Sequence, residues 1–338
     1  MHAGVERRFA CCRSPLVVLL FSSSPPFQAE KTVCSPRLYD LKLKTHLALL
    51  TVALLFSANY ILAKFGMREF SPLSFAWLRI AAGAIVMLFF VRDAAPFSRE
   101  DSSRVFVYAV LGVAINATLF LVGLSMTSVQ VAAVLITAIP VFTLALAILL
   151  RYEPPSATRI AGIALAAAGA LLVVGGESLH GSRTSFIGSL LIVLNCFSYA
   201  LYLVLSKPHM ARLSARRVVA RMFLVGSILL LPVAGYSLVH EHWSSISPGA
   251  WIVLAIVIAG PTVLAYLLQA WALRHADSSS VAAYTYVQPV LASFLGAIFL
   301  GEQFRLIVVL AAVLIFTGVW LAGRSVARSR GRAVPSAA

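Results

Sequence analysis

Residues 128–150 read SVQVAAVLITAIPVFTLALAILL, a run without one charged side chain. As a helix rising about 1.5 Å per residue, such a run covers the roughly 30 Å hydrocarbon core of a bilayer. Charge returns immediately afterwards, in Arg151-Tyr152-Glu153. Inside the run, Pro140 has no backbone N–H and so frees a carbonyl one turn earlier, which creates a kink or a polar spot. Membrane helices tolerate this where neighbouring groups satisfy the freed carbonyl.

Runs of the same kind recur on both sides. Ten apolar segments are centred at 46–64, 72–91, 104–124, 128–150, 157–175, 185–206, 217–239, 250–273, 279–300 and 304–323, and the short loops between them predict antiparallel neighbours. Composition agrees: 60% of the 338 residues are hydrophobic and 12% charged, too few charges to cover a soluble protein of this length. The net charge of +15 would fit a nucleic-acid binder only if Lys and Arg shared a folded polar face. They lie instead between the apolar runs, so no nucleic-acid partner is expected.

Residues 1–44 differ from the rest, with Cys11, Cys12, Cys34, the Pro-rich Ser24-Pro25-Pro26 and seven Lys or Arg. The apolar stretch Leu16 to Phe21 is too short to span a membrane or to serve as a secretory h-region. This segment reads as a disordered cytoplasmic extension, as would follow from a start codon placed too far upstream. Together with Cys196, the cysteines show neither metal-ligand spacing nor a disulfide framework.

Cytoplasmic loops of membrane proteins carry an excess of Lys and Arg. An inside amino terminus puts Arg92, Arg99, Arg104, Arg151, Arg159, Lys207, Arg212, Arg216, Arg217, Arg274 and the basic tail of 324–338 in the cytoplasm. The outer loops then keep only Lys64, Arg68, Arg183 and Arg305. Both termini are therefore expected to be cytoplasmic.

The chain also resembles itself. Shifted by 149 residues without gaps, Pro140 falls on Pro289, Glu153 on Glu302, Gly169 on Gly318 and Gly162 on Ala311. Each half thus carries a small residue seven positions before its glycine, on one helix face, where small side chains let backbones approach closely. A five-helix unit is odd, so its second copy enters the membrane upside down. The expected fold is an all-α membrane protein of ten transmembrane helices in two inverted five-helix repeats, over 45–175 and 185–323. Inverted repeats are a recurring transporter architecture, with the substrate near the midplane and alternating access by rocking.

At this point the sequence resembles the EamA-type permeases of the drug/metabolite transporter superfamily, over roughly residues 47–323. The first half carries Phe56-Ser57-Ala58-Asn59-Tyr60, Ser71-Pro72 to Leu78-Arg79 and Gly123-Leu124-Ser125-Met126-Thr127-Ser128. The second carries Tyr199-Ala200-Leu201-Tyr202, Ala272-Leu273-Arg274, Gln288-Pro289 and Leu300-Gly301-Glu302. Arg151-Tyr152-Glu153 departs from the family's usual Leu-Gly-Glu, and Phe56 stands where tryptophan is common. The resemblance implies a multi-pass permease of a plasma membrane, the bacterial inner membrane, that exports or exchanges amino acids, other metabolites or drugs. Its partners are then a small-molecule substrate and the lipid bilayer, with a homodimer left open.

A charge at membrane depth is costly and marks function. The acidic residues, among them Glu69, Asp93, Glu153, Glu177, Glu241, Asp277 and Glu302, fall in the extension, loops or helix ends, and no histidine sits in a membrane interior. Proton coupling through a buried carboxylate or histidine therefore has no candidate, which favours facilitated diffusion, exchange or coupling through a helix-end Glu. Arg79 is the deepest charge, about 10 Å inside the second segment at ~1.5 Å per residue. It reads either as a donor fork for a substrate carboxylate or phosphate, or as a snorkelling or packing side chain. Arg221 lies near the cytoplasmic boundary and reads as snorkelling.

The neutral candidates for a substrate cavity are Asn59, Tyr60, Asn116, Asn195, Tyr199, Tyr202, Tyr266, Gln269, Tyr284, Tyr286 and Gln288, on segments one, three, six, eight and nine. For each, an interhelical hydrogen bond or interfacial anchoring is the plainer role. Pro140, Pro289 and Pro261 are candidate hinges, against simple packing. His240-Glu241-His242 looks metal-like but lacks further ligands and reads as a surface loop. No Gly-rich run ends in Gly-Lys-Ser/Thr, so ATP-driven transport within this chain is not expected, and neither is a cofactor or a metal. A lipid-modifying enzyme would need clustered acids, bases or a metal at membrane depth, which are not visible. A non-transporting receptor or assembly subunit is the remaining alternative.

Overall fold

The computed structural model describes residues 36–89, 91, 97–151, 156–180, 182–275, 284–303 and 306–332. The chain divides into two units, Met1–Asp40 and Leu41–Ala338. Of the first, only 36–40 are described, and they are helical. Residues 1–35 of the expected extension lie outside the described residues, as do Glu153 and 279–283 at the start of the ninth expected segment, while 36–44, expected to be disordered, form the beginning of a helix.

Helices account for most of the described residues. They are α1 (Pro36–Gly66), α2 (Pro72–Phe89), α3 (Arg99–Met126), α4 (Val129–Leu149), α5 (Ala157–His180), α6 (Arg183–Arg212) and α7 (Ala215–Val239). After a short 3₁₀ turn, Trp243–Ser245, come α8 (Pro248 to His275, in three stretches), α9 (Val287–Leu300) and α10 (Leu306–Arg332). Among the described residues, seven helices are long and apolar enough to cross a membrane: α1 to α4 and α6 to α8. Three apolar stretches, Ile160–Leu172, Val287–Leu300 and Leu306–Gly318, are shorter. All coincide with segments expected from the sequence.

Local chemistry sets where several helices start. Serine oxygens accept the orphan N–H groups of the first turn at Ser98 (from Asp101), Ser128 (from Val131), Ser182 (from Ser185) and Ser247 (from Ala250). Pro248 follows Ser247 at the position where a missing N–H costs nothing. At the other end, α9 stops on Gly301 with φ +65°, the left-handed conformation that glycine adopts without penalty.

Two helices contain an irregularity at matching places. The middle of α3, Val110–Ile115, and the middle of α8, Ile258–Leu264, wind as π-helix. Shifted by 149, residues 110–115 fall on 259–264, inside the second stretch. The two N-cap serines, Ser98 and Ser247, share that spacing. A π turn carries an extra residue and bulges, leaving backbone groups open to other partners. One is taken up at once: the Ser198 hydroxyl on α6 donates to the carbonyl of Leu111 at 2.9 Å.

Close packing of α5 on α10 uses the expected small residues. A β-carbon on Gly169 would stand 2.9 Å from the Ala311 carbonyl oxygen, and one on Gly318 would stand 2.6 Å from that of Gly162. The unit has an apolar core like a soluble protein's, but large apolar side chains also cover its outside and a minority of polar ones are buried within. Phe89, Leu171, Ile228, Phe294 and Val313 are exposed, while Ser57, Asn59, Ser74, Arg79, Asn195 and Thr262 are buried. An apolar exterior with the few polar side chains turned inward is the pattern that lipid as solvent selects.

Candidate functional site

A polar side chain on an apolar helix has only other buried groups to bond, and the described candidates assemble accordingly. Arg79, seven residues into α2, is 6% exposed. Its Nη1 donates to Asn59 Oδ1 on α1 at 3.4 Å, while the buried Nε finds no partner. Among the described residues no carboxylate forms an ion pair with it. An unpaired ion away from water costs several kcal/mol even after relaxation. Phe56 and Phe223 meet the ring of Tyr266, on α8, edge-on at centroid distances of 6.1 and 5.0 Å, and Phe223 also packs beside Gly83, one turn beyond Arg79.

The next polar contacts lie between α6 and its neighbours. Tyr199 donates to Gln269 Oε1 on α8 at 3.1 Å, and its ring sits 5.4 Å from that of Tyr202. Tyr202 in turn lies against Gly112 in the α3 bulge, where an added β-carbon would stand 2.8 Å from the ring. Asn116, the first residue after that bulge, donates to Asn195 Oδ1 at 2.7 Å. Tyr60 is buried with its ring 5.5 Å from Phe120.

Two further candidates are placed differently. Tyr284 bonds His46 near the beginning of α1, at 2.5 Å from Nδ1. Gln288 is buried on α9. The Tyr286 side chain lies outside the described residues. The three prolines all sit where helical bonding changes. Pro140 opens Ile139–Leu149 just after a break in α4 at Thr137 and Ala138; Pro261 lies within the π stretch of α8; Pro289 follows the 3₁₀ turn Tyr284–Tyr286. Pro232, inside α7, is a fourth that the sequence reading did not single out.

Sequence reasoning also missed how the two ends of the unit are tied. At one end, the Glu302 carboxylate accepts the N–H groups of Val129 and Gln130 at 2.8 and 3.1 Å, and Lys64 donates to the Thr127 carbonyl at 2.7 Å. Beside them the loops after α1 and α7 exchange acids. Glu69 accepts the N–H and hydroxyl of Ser247 at 2.6 and 2.8 Å, while Glu241 accepts those of Ser71 at 3.2 and 2.7 Å. The backbone N–H and hydroxyl of Ser247 hold the Glu69 carboxyl below the usual carboxylate range. The serines were legible as Ser-Pro helix starts; their acidic partners, about 170 residues distant, were not. Glu241 of the metal-like His240-Glu241-His242 is thus engaged in joining helix ends.

At the other end, His209 on α6 bonds Arg104 and, at 2.8 Å, the Tyr108 hydroxyl on α3, which also donates to the Leu205 carbonyl at 2.9 Å. Arg104 also pairs with Glu100, one turn earlier on its own helix. Arg217 of α7 lies over the Phe97 ring at 4.9 Å.

An apolar exterior, seven membrane-length helices and buried polar side chains bonded to one another between them define a multi-pass helical membrane protein. The model of the EamA-like transporter family matches the chain twice, over residues 43–175 and 186–324, and the chain belongs to that family. An uncharacterized transporter of Archaeoglobus fulgidus is 29% identical over 283 residues, covering 82% of this chain and 96% of its own. The uncharacterized transporter YoaV of Bacillus subtilis is 22% identical with the same coverage, and the Arabidopsis thaliana protein WALLS ARE THIN 1 is 24% identical, covering 82% of each chain. One solved crystal structure superposes with a TM-score of 0.60 over 84% of this chain and 98% of that one, at 19% identity, which shows a shared fold. The family and these bacterial and archaeal names are those of transporters rather than enzymes.

Proposed function

We propose that this protein is a secondary permease that exports or exchanges a small metabolite, amino acid or drug-like compound by alternating access between two inverted five-helix repeats. The observation that carries the reading is a set of buried polar bonds between helices: Arg79 with Asn59 across α2 and α1, Asn116 with Asn195 across α3 and α6, and Tyr199 with Gln269 across α6 and α8. A substrate held there would touch both halves of the chain, and no cofactor, metal or catalytic group is called for.

Several features support the repeat. The bulges of α3 and α8, their serine caps and the reciprocal glycine contacts of α5 and α10 share one spacing of 149. In ten spanning helices, α5 and α10 would each cross the bilayer. The loops assigned to the outside contribute Lys64, Glu69, Glu241 and Glu302 to one end of the unit, and the segments assigned to the inside contribute Arg104, His209 and Arg217 to the other. This separation favours cytoplasmic termini in a bacterial inner membrane. In such a cycle Pro140, Pro261 and Pro289 mark the places where helices bend, and the end contacts break alternately.

Reconstitution in liposomes tests the reading. Flux of at least one solute from a library of amino acids, nucleosides, organic acids and drug-like compounds is expected. A monodisperse, correctly inserted protein that moves none of them in either direction overturns it and leaves a receptor or assembly subunit.

A further inference from the structure

Three buried polar atoms have no hydrogen-bond partner among the described residues: Arg79 Nε, Thr262 Oγ1 and Ser189 Oγ. Two of the three share one helix contact. Gly83 lies one turn beyond Arg79 on α2, and a β-carbon there would stand 3.0 Å from Thr262 Cγ2 in the α8 bulge. Tyr266, one turn beyond Thr262, meets Phe223 edge-on at 5.0 Å, and the same Phe223 ring would stand 3.2 Å from a β-carbon on Gly83.

Both orphans are unusual for their type. A threonine in a helix ordinarily satisfies its hydroxyl by donating to the carbonyl three or four residues back. Here Thr51, Thr118, Thr143 and Thr317 do so, at 2.7 to 2.9 Å. Thr262, inside the π-wound stretch of α8, does not, among the described residues. An arginine buried to 6% exposure is normally paired, yet Arg79 spends Nη1 on one long bond of 3.4 Å to a neutral amide. The side-on edge of its guanidinium, Nε with Nη2, bonds nothing among the described residues. That edge is a two-donor fork matched to the two oxygens of a carboxylate.

We infer that the permease substrate is a small organic monocarboxylate, held side-on by Arg79 Nε and Nη2 with the Thr262 hydroxyl as a further donor, an inference that rests on the transport reading above. One fixed positive charge with no acidic partner among the described residues matches one negative charge. Apart from Glu100 and Asp101 in the first turn of α3, at the end of the unit where Arg104 and His209 meet, the described spanning segments hold no carboxylate, so a neutral or cationic analogue gains nothing at this place. The remainder of the molecule meets Tyr266 and the Tyr199–Gln269 pair, which offer rings and neutral hydrogen bonds.

The test reads binding separately from transport. The purified full chain in detergent is unfolded thermally at pH 7 with benzoate, acetate or lactate, and with the matched probes benzamide and benzylamine. At least one carboxylate raises the midpoint while the amide and the amine do not. Arg79→Gln weakens the carboxylate affinity by about tenfold or more, as expected for a lost charged fork. Arg79→Lys, which keeps the charge without the fork, and Thr262→Val each retain a weakened response. Without ligand, Arg79→Gln unfolds no lower than the parent, because it removes an unpaired buried ion; a packing role predicts the reverse. The inference is overturned if benzamide stabilises as well as benzoate, if no carboxylate stabilises the parent, or if Arg79→Gln responds like the parent. Should Arg79→Gln fail to fold, an unweakened response in both Arg79→Lys and Thr262→Val overturns it equally. Carboxylate binding without flux would sustain the site and remove the permease reading; flux of a neutral solute indifferent to Arg79→Gln would do the opposite.

Discussion

Gly318 on α10 rests on the carbonyl of Gly162 on α5: an added β-carbon would stand 2.6 Å from that oxygen and 2.6 Å from the nitrogen of Ala166. Backbone cannot yield as a flexible side chain can, so the two helices must separate to admit even one methyl group. Gly318→Ala is expected to destabilise the protein by about 1–3 kcal/mol, the usual cost of overpacking. Gly235→Ala on α7, with nothing within 4 Å of the added carbon, is the control and should be neutral or mildly stabilising. Thermal unfolding in detergent distinguishes them, and equal midpoints for the two variants would contradict the close contact.

Glu302 caps α4 from a distance of 173 residues, through the Val129 N–H, and its partner bond to Gln130 completes a charge-assisted pair. A carboxylate there also meets the positive end of the helix dipole. Glu302→Ala should cost about 1–2 kcal/mol, and Glu302→Gln less, because an amide oxygen still accepts one N–H. Hydrogen exchange at Val129 and Gln130 reads the loss directly: both amides should exchange faster in Glu302→Ala.

The loop contact of Glu69 with Ser247 carries a pH dependence of known sign. The folded carboxyl titrates below its ordinary value of 4.5, so it binds fewer protons than in the unfolded chain. Its contribution is complete above that value and is lost as pH falls through the lower folded one. Amide exchange in the 241–247 loop, corrected for the intrinsic rate, should accelerate over that acid window in the parent. Glu69→Gln should abolish the step, and a step that persists in the variant would assign it to another group.

Arg151 ends α4 with φ 60°, a left-handed conformation costly to any residue with a β-carbon. The second half places Gly301 at the corresponding helix end, with φ 65°. Arg151→Gly should relieve the strain and stabilise by about 0.5–1 kcal/mol after the extra backbone freedom of the unfolded chain is subtracted. A lowered midpoint would show that the Arg151 side chain contributes more than its backbone strain costs.

Hydrophobic runs, loop charges and the 149-residue echo are written along the chain, because each depends on residue type and spacing alone. They were enough to predict an all-helical membrane protein, where its apolar segments lie, and which small residues let α5 and α10 meet. Most of the described site candidates were also legible, since a polar side chain in an apolar run is conspicuous wherever it ends up. What tertiary structure alone decided is who bonds whom: Asn116 with Asn195, Tyr199 with Gln269, Tyr284 with His46 instead of the central group, and Glu302 with a helix start in the other half. The sequence could show that Arg79 is deep; only packing reveals that, among the described residues, its Nε and the Thr262 hydroxyl in the α8 bulge are both left without a partner. Hydrogen-bond satisfaction is a property of three-dimensional neighbours, and spacing along a chain does not encode it.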